Sequence, residues 1–339
     1  MNGTEGPDFY IPMSNATGVV RSPHEYPQYY LAEPWVFSFL TIYMFFLIIV
    51  GFPVNLFTLV VTVLHKNLRT PIYYILVNIV VVDLFVIAVS FPFTMHAAMH
   101  GYFVRGQVGC NFEGFFGGHG ILTMSWCLVI LAVERCMVSF RPGIDIQSRR
   151  RFVIKGVGFI WLMAFSWSLP PLFEWSRYIP EGLQCSCGVD YYTLKPELFN
   201  ESFINYMFTV HVIVPLTVIT VCFGRLLCVV NSDALDKTER DANCVTVVMT
   251  LGFFVCWLPY VSAGWHIFSN QGSAFSPLTM TLTAFFAKSA VVHVPLLFIA
   301  MDKQLRQCMF ITLCQIKNHF ADDDGASKTE SSSASVAPA

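Results

Sequence analysis

Hydrophobic positions in this chain come in long runs, not in alternation. Apolar stretches recur seven times, over 36–64, 71–99, 107–133, 152–173, 202–230, 244–268 and 277–301, with polar or proline-bearing segments between them. Each run is near the ~20 or more residues that a tilted helix needs to cross a bilayer. The pattern predicts an all-α membrane protein, a seven-transmembrane helix bundle occupying 36–301. The fourth run begins at a basic cluster and ends at Pro170 and Pro171, and Pro259 puts a kink in the sixth. Beyond the seventh, charged and apolar residues alternate at helical spacing from Asp302 to Phe310, which predicts a short amphipathic eighth helix over 302–314. The remainder, 315–339, is acidic and then rich in Ser and Thr without apolar periodicity, the signature of a disordered tail.

Composition agrees with the pattern: 55% of residues are hydrophobic and 12% charged, against about 25% charged in an average soluble domain. The 20 Lys and Arg fix the expected orientation, because basic residues near spans are retained in the cytoplasm. With the N-terminus outside, only Arg21, Arg105, Arg177 and Lys195 face outward and Lys288 lies mid-span; all the others fall on the cytoplasmic side. Segment 1–35 has no apolar core of a cleavable leader and carries two glycosylation acceptors, Asn2 and Asn15. A third acceptor pattern, at Asn200, abuts the fifth span and is expected to stay unmodified. Of the 11 cysteines only Cys110, Cys185 and Cys187 face the oxidising side. One disulfide is expected there, from Cys110 to one of the other two, and spacing does not choose between them. Cys314, near the end of the amphipathic segment, is a candidate for palmitoylation.

The residue that carries chemistry is Lys288. It stands alone in the last span, eleven residues from Pro277 and thirteen from Met301, so at ~1.5 Å per residue it lies roughly 16 Å from the nearer end. That is too deep for its amine to reach the headgroups. A charge at that depth costs at least ~2.5 to 3.5 kcal/mol and marks a functional site by default. Such a lysine is either paired with a carboxylate or covalently used, as desolvated lysines are in Schiff-base chemistry. Two acids, Asp83 and Glu113, lie at suitable depth for a partner, and depth alone does not decide between them. No phosphate-binding glycine loop and no nucleophile aligned with a base points to an enzyme. His96 and His100 have metal-ligand spacing but no third ligand, so no metal is expected. His119 and His293 are expected as neutral residues satisfied by nearby backbone carbonyls.

These residues sit in a wider pattern: MNGTEGP at the start, EYPQYYLAEPW at 25–35, GCNFEGFF at 109–116, WSRYIPEGLQCSCGVDYYT at 175–193, CWLPY at 256–260, FFAK at 285–288 and VAPA at the end. With them, the chain resembles the vertebrate visual opsins of the rhodopsin type, among the class A G-protein-coupled receptors, from its first residue to its last. The resemblance implies a light-activated receptor whose Lys288 carries 11-cis-retinal as a protonated Schiff base. It implies Glu113 as counterion and Glu181 as a secondary acid, leaving Asp83 in a polar cluster with Asn55 and Asn78. The rest of the pocket would be Thr94, Met207, Phe208, His211, Phe253, Trp257 and Tyr260, with Ser186 and Tyr191 in the lid loop. Ile121 and Leu122 stand at its ring end, where the family has glycine and glutamate. The same resemblance selects Cys187 as the partner of Cys110. It assigns Glu134, Arg135 and Glu239 to a resting switch, and Ser331, Ser332 and Ser333 to phosphorylation. It also implies a transducin-like heterotrimeric G protein as partner, arrestin and a receptor kinase at the tail, surrounding membrane lipid and no nucleic acid. The membrane would be the plasma membrane or the photoreceptor outer-segment disc, with the N-terminus extracellular or luminal.

The signalling end departs from the family. Cys136 follows Arg135 where a tyrosine is usual, and Phe223 replaces another tyrosine in the fifth span. In the seventh, Val294-Pro295-Leu296-Leu297-Phe298 stands for the family's Asn-Pro-x-x-Tyr. A retinal-binding opsin with weak or no G-protein signalling is therefore the alternative reading. A light-driven ion pump or channel is the more distant one, disfavoured because the third span offers only Glu113 and Glu134, at opposite ends.

Overall fold

A computed structural model describes residues 22–141, 143–194, 196–229, 237–272 and 275–315. The described helices are α1 (Pro34–Leu64), α2 (Pro71–Val89), α3 (Phe91–His100), α4 (Gly106–Phe140), α5 (Ile146–Ser168), α6 (Asn200–Phe208), α7 (Val214–Val229), α8 (Lys237–Ser269), α9 (Pro277–Lys288) and α10 (Ala290–Met301), followed by α11 (303–315). They build seven spans, because α2 and α3 continue one another, as do α6 and α7, and α9 and α10. Six of the spans are long and apolar enough to cross a membrane on composition alone. The fourth, α5, carries Arg149, Arg150, Arg151 and Lys155 near its start. Large apolar side chains such as Trp35, Ile42, Phe45, Leu162 and Val255 point outward, as they must where lipid is the solvent.

Local chemistry explains most of the helix boundaries. Pro34, Pro71 and Pro277 open their helices, where a missing N–H has no partner to lose. Ser276 caps α9 by accepting from the Thr279 N–H at 3.3 Å. The fourth span differs most from expectation. Asp145 accepts from the Ser148 N–H at 3.1 Å and starts the helix at Ile146, six residues before the expected 152. It ends at Ser168, ahead of Pro170 and Pro171, not at 173. Three spans are not continuous α-helix. The second breaks at Ser90, just before Pro92. The fifth widens to a π-turn over Thr209–Ile213, which carries His211. The seventh breaks at Ser289, directly after Lys288, where the Ser289 hydroxyl donates to the Phe286 carbonyl at 2.6 Å.

Pro295 accounts for another contact. Lacking an N–H, it leaves the carbonyl four residues earlier, at Val291, without its helical donor. The Asn55 amide of α1 donates to that carbonyl at 2.9 Å. Asn55, Asn78 and Asp83, expected in one polar cluster, make no hydrogen bond to one another among the described residues. Asn78 bonds the Cys127 thiol and the Trp161 indole, and one Asp83 oxygen is buried with no partner among the described residues. Each amide is drawn to the donor or acceptor its own helix neighbour exposes.

One end of the bundle is closed by a two-stranded hairpin, β1 (Tyr178–Glu181) and β2 (Ser186–Val189), antiparallel with Glu181 opposite Ser186. Its turn needs Gly182 at φ 57. The Cys110–Cys187 disulfide ties β2 to α4. The Leu183 N–H donates to the Thr281 hydroxyl of α9 at 2.7 Å, and the Gln107 amide holds the Tyr178 carbonyl at 2.8 Å. At the other end, α11 buries Leu305, Cys308, Met309 and Thr312 on one face. Asp302 caps it at 2.7 Å and also accepts from the Tyr73 hydroxyl.

Candidate functional site

Under the hairpin lies a mostly apolar cavity among the second to seventh spans. Lys288 lines it from the last turn of α9. Its Nζ donates to Glu113 Oε1 at 2.8 Å, and the Glu113 side chain has no solvent exposure. Buried carboxylates need several donors, and Glu113 has them. The Thr94 hydroxyl donates to Oε1 at 2.8 Å, the Cys187 N–H to Oε2 at 2.6 Å, and the Ser186 hydroxyl reaches Oε1 at 3.5 Å. The disulfide to Cys187 thus positions a backbone donor on the acid. Depth left Asp83 and Glu113 equal; the ion pair is made by Glu113, while Asp83 only lines the cavity.

Of the other expected pocket residues, Ile121, Leu122, Glu181, Tyr191, Met207, Phe208, His211, Trp257 and Tyr260 do line the cavity. Thr94, Ser186 and Phe253 do not: the first two turn to Glu113, and Phe253 stacks behind Trp257 with ring centroids 5.5 Å apart. Glu181, at the end of β1, accepts from the Tyr260 hydroxyl at 2.9 Å. Burial pushes its carboxyl up to about 8, against the lowering pulls of Lys288 and of the Tyr260 hydroxyl.

A family model described as "7 transmembrane receptor (rhodopsin family)" matches residues 54–320. The chain belongs to that rhodopsin family. Its members are receptors, not enzymes. A second model, the amino terminal of the G-protein receptor rhodopsin, matches residues 2–37. The freshwater form of rhodopsin from Anguilla anguilla is 55% identical over 352 residues, with 100% of both chains covered. The blue-sensitive opsin of Conger conger is 54% identical at the same coverage, and the rhodopsin of Alligator mississippiensis is 55% identical over 99% of this chain and 98% of its own. The crystal structure of squid rhodopsin shares the fold, with a TM-score of 0.76 at 20% identity over 88% of this chain and 86% of that one.

Within this rhodopsin-family bundle, the end of the cavity away from Lys288 is shaped by residues that the sequence hid. Gly118 of α4 faces Trp167 of α5 so closely that a Cβ at 118 would overlap the indole ring. Trp167 lines the cavity, and its indole N–H is buried without a partner among the described residues. An aromatic in an apolar span reads as packing; only the glycine on another helix makes it a wall. His211 accepts from the Trp126 indole at 3.1 Å, and its other ring nitrogen lies 3.3 Å from the Tyr206 hydroxyl. Neither His119 nor His293 is satisfied as expected by a backbone carbonyl alone. His119 Nδ1 meets the Ser168 hydroxyl at 3.1 Å, and His293 Nδ1 meets Ser289 at 3.1 Å and the Cys256 thiol at 3.4 Å. A serine one helical turn away, or on the facing helix, reaches the ring in each case.

At the opposite end, the three expected switch residues come together. Arg135 Nε lies 2.5 Å from Glu134 Oε2 and its Nη1 2.7 Å from Glu239 Oε2. Sequence reading missed the fourth member, Arg149. Val294 and Phe298 are fully buried, and the Phe298 ring packs edge-on against Tyr73 with centroids 5.7 Å apart. Cys314 is exposed on α11. Asn2, Asn15, Ser331, Ser332 and Ser333 lie outside the described residues.

Proposed function

We propose that the protein is a light-activated G-protein-coupled receptor that holds 11-cis-retinal on Lys288. The observation that carries the reading is the buried Lys288–Glu113 pair at the wall of a mostly apolar cavity. The residues fit the ligand: an elongated hydrocarbon needs apolar walls, and its one polar end needs an amine with a compensating charge. Retinal, bound as a Schiff base, supplies the light absorption and the change of shape. Lys288 would provide the nitrogen, and Glu113 would favour its cationic form, because an opposite charge within ~4 to 6 Å does so. The hairpin and its disulfide exclude water, which strengthens that interaction. Trp257 lies two residues before Pro259, where pressure on the ring is transmitted to the bend of α8.

The distribution of basic residues supports an N-terminus and hairpin on the extracellular or luminal side, and the family resemblance supports a plasma or outer-segment disc membrane. The transducin-like partner, arrestin and kinase would meet the opposite end and the tail, where Cys314 is open to acylation. A second reading, a pigment with weak G-protein output, is favoured by the buried Val294 and Phe298. The test is a dark-minus-light spectrum after adding 11-cis-retinal, followed by light-dependent nucleotide exchange. Lys288→Ala is expected to abolish the visible band, and Glu113→Gln to make it pH-sensitive near neutrality. Borohydride trapping of retinal on another residue overturns the assignment, and a visible band without exchange selects the second reading.

A further inference from the structure

Arg149 opens a basic run, Arg149-Arg150-Arg151, at the start of α5. Arg150 and Arg151 are exposed as residues facing headgroups should be. Arg149 is 8% exposed. Its Nε lies 2.7 Å from Glu134 Oε1 and its Nη1 2.7 Å from Glu239 Oε1. Arg135 meets the other oxygen of each carboxylate, Glu134 Oε2 at 2.5 Å and Glu239 Oε2 at 2.7 Å, and adds a second bond to Glu134 Oε1 at 2.8 Å. Two guanidiniums therefore grip the same two carboxylates, and their four formal charges cancel.

We infer that Arg149 is a second positioning residue of the resting state, clamping α5 and α8 together through Glu239 while sharing Glu134 with Arg135. The inference rests on the receptor reading in one respect, that α8 must leave this cluster for a partner to bind. The geometry supplies the reason for two arginines. Glu134 has no exposed side-chain surface, and a buried carboxylate is stable as an anion only when its lone pairs are taken. A planar guanidinium serves both acids at once from one direction. Moving α8 away parts Glu239 from two buried cations instead of one. Arg149 also engages the fourth span, which a single Arg135–Glu239 contact would leave out. The resting state is thereby favoured over any state in which α8 has swung out.

The test measures dark protein reconstituted with 11-cis-retinal and labelled with nitroxides at the native Cys244 of α8 and at Lys66→Cys, with Cys228→Ser and Cys314→Ser removing the other exposed thiols. Arg149→Gln is expected to add a longer-distance component to the interspin distribution without moving the dark absorption band, since Arg149 does not line the cavity. Arg149→Lys, which keeps the charge but not the fork, should fall between, and it serves if the glutamine variant does not fold. In the retinal-free protein, nucleotide exchange should rise by roughly five- to a hundredfold, the range of an ordinary coupling free energy. The effect of Arg149→Gln should largely vanish in a Glu239→Gln background. Unchanged dark distances in both Arg149 variants, or full additivity with Glu239→Gln, overturn the inference. The dark distances need neither light nor a partner, so a failed light response sinks the receptor reading alone.

Discussion

Glu181 couples the lid to the solution pH. In the folded chain its carboxyl holds a proton up to about 8, whereas its ordinary value is 4.5. The folded state therefore binds more protons than the unfolded chain between those limits, so stability from this group falls as pH rises from about 4.5 to about 8 and is level on either side. Unfolding midpoints measured across that range should decline, and Glu181→Gln should flatten the decline. On the pigment, ionisation near pH 8 adds a second anion beside Lys288, so the dark band should move to shorter wavelength there in the parent and not in Glu181→Gln. A spectral titration checks it. Gly118 makes a steric prediction of the same scale. Gly118→Ala drives a methyl into the Trp167 ring, and overpacking of that kind costs about 1–3 kcal/mol. Pigment yield and thermal half-life should drop, and Trp167→Leu should restore both; a Gly118→Ala protein as stable as the parent would mean that the indole is free to move.

At the level of elements, the seventh span carries the main departure from the rhodopsin family. Val294 and Phe298 are buried and well packed at rest, so their replacement of polar groups does not weaken the resting bundle. Their effect falls on any state in which an amide and a hydroxyl would find partners. Each missing hydrogen bond contributes ~0.5 to 1.5 kcal/mol, and Phe223 adds a third. Together they shift a two-state equilibrium by one to three powers of ten. Restoring Val294→Asn, Phe298→Tyr and Phe223→Tyr together should raise light-dependent nucleotide exchange while leaving the dark spectrum in place. No rise in exchange would mean that these three positions do not limit the output. Legibility differs among these elements for physical reasons. Lys288 was readable because a charge inside an apolar run has few explanations, whereas depth left Glu113 level with Asp83 and only the resemblance to the opsins chose between them. Arg149 was not, because the fourth apolar run suggests a helix from 152, leaving the arginine in a loop. The Asp145 cap extends the helix to Ile146 and turns Arg149 inward, and a cap outside the apolar run leaves no trace in hydropathy.

For the whole molecule, the hairpin, the disulfide and the counterion form one unit. Cys187 is joined to Cys110 and donates its N–H to Glu113 at 2.6 Å. Cys187→Ser should thus do two things. It should lower stability by about 2–5 kcal/mol, the usual loss for a native disulfide, and it should loosen a donor on the counterion, which moves the dark absorption band. Thermal unfolding and a dark spectrum read the two effects separately, and a stable variant with an unmoved band would contradict both. The seven-span order and the lysine were visible in sequence because both are one-dimensional signals. The breaks at Ser90 and Ser289 were not, since the apolar runs continue through them.

Asn200 begins α6, 1% exposed, with its amide donating to the Thr193 carbonyl at 2.7 Å. It is also the third Asn-x-Ser/Thr pattern in the chain, on the side proposed to be luminal. A sugar on that nitrogen is incompatible with the seat it occupies, so attachment and folding compete for the same atom while the chain is being made. The fraction of newly made protein glycosylated at Asn200 would then be a stopwatch for biogenesis. Slow-seating variants should accumulate that form, and mature pigment should be free of it.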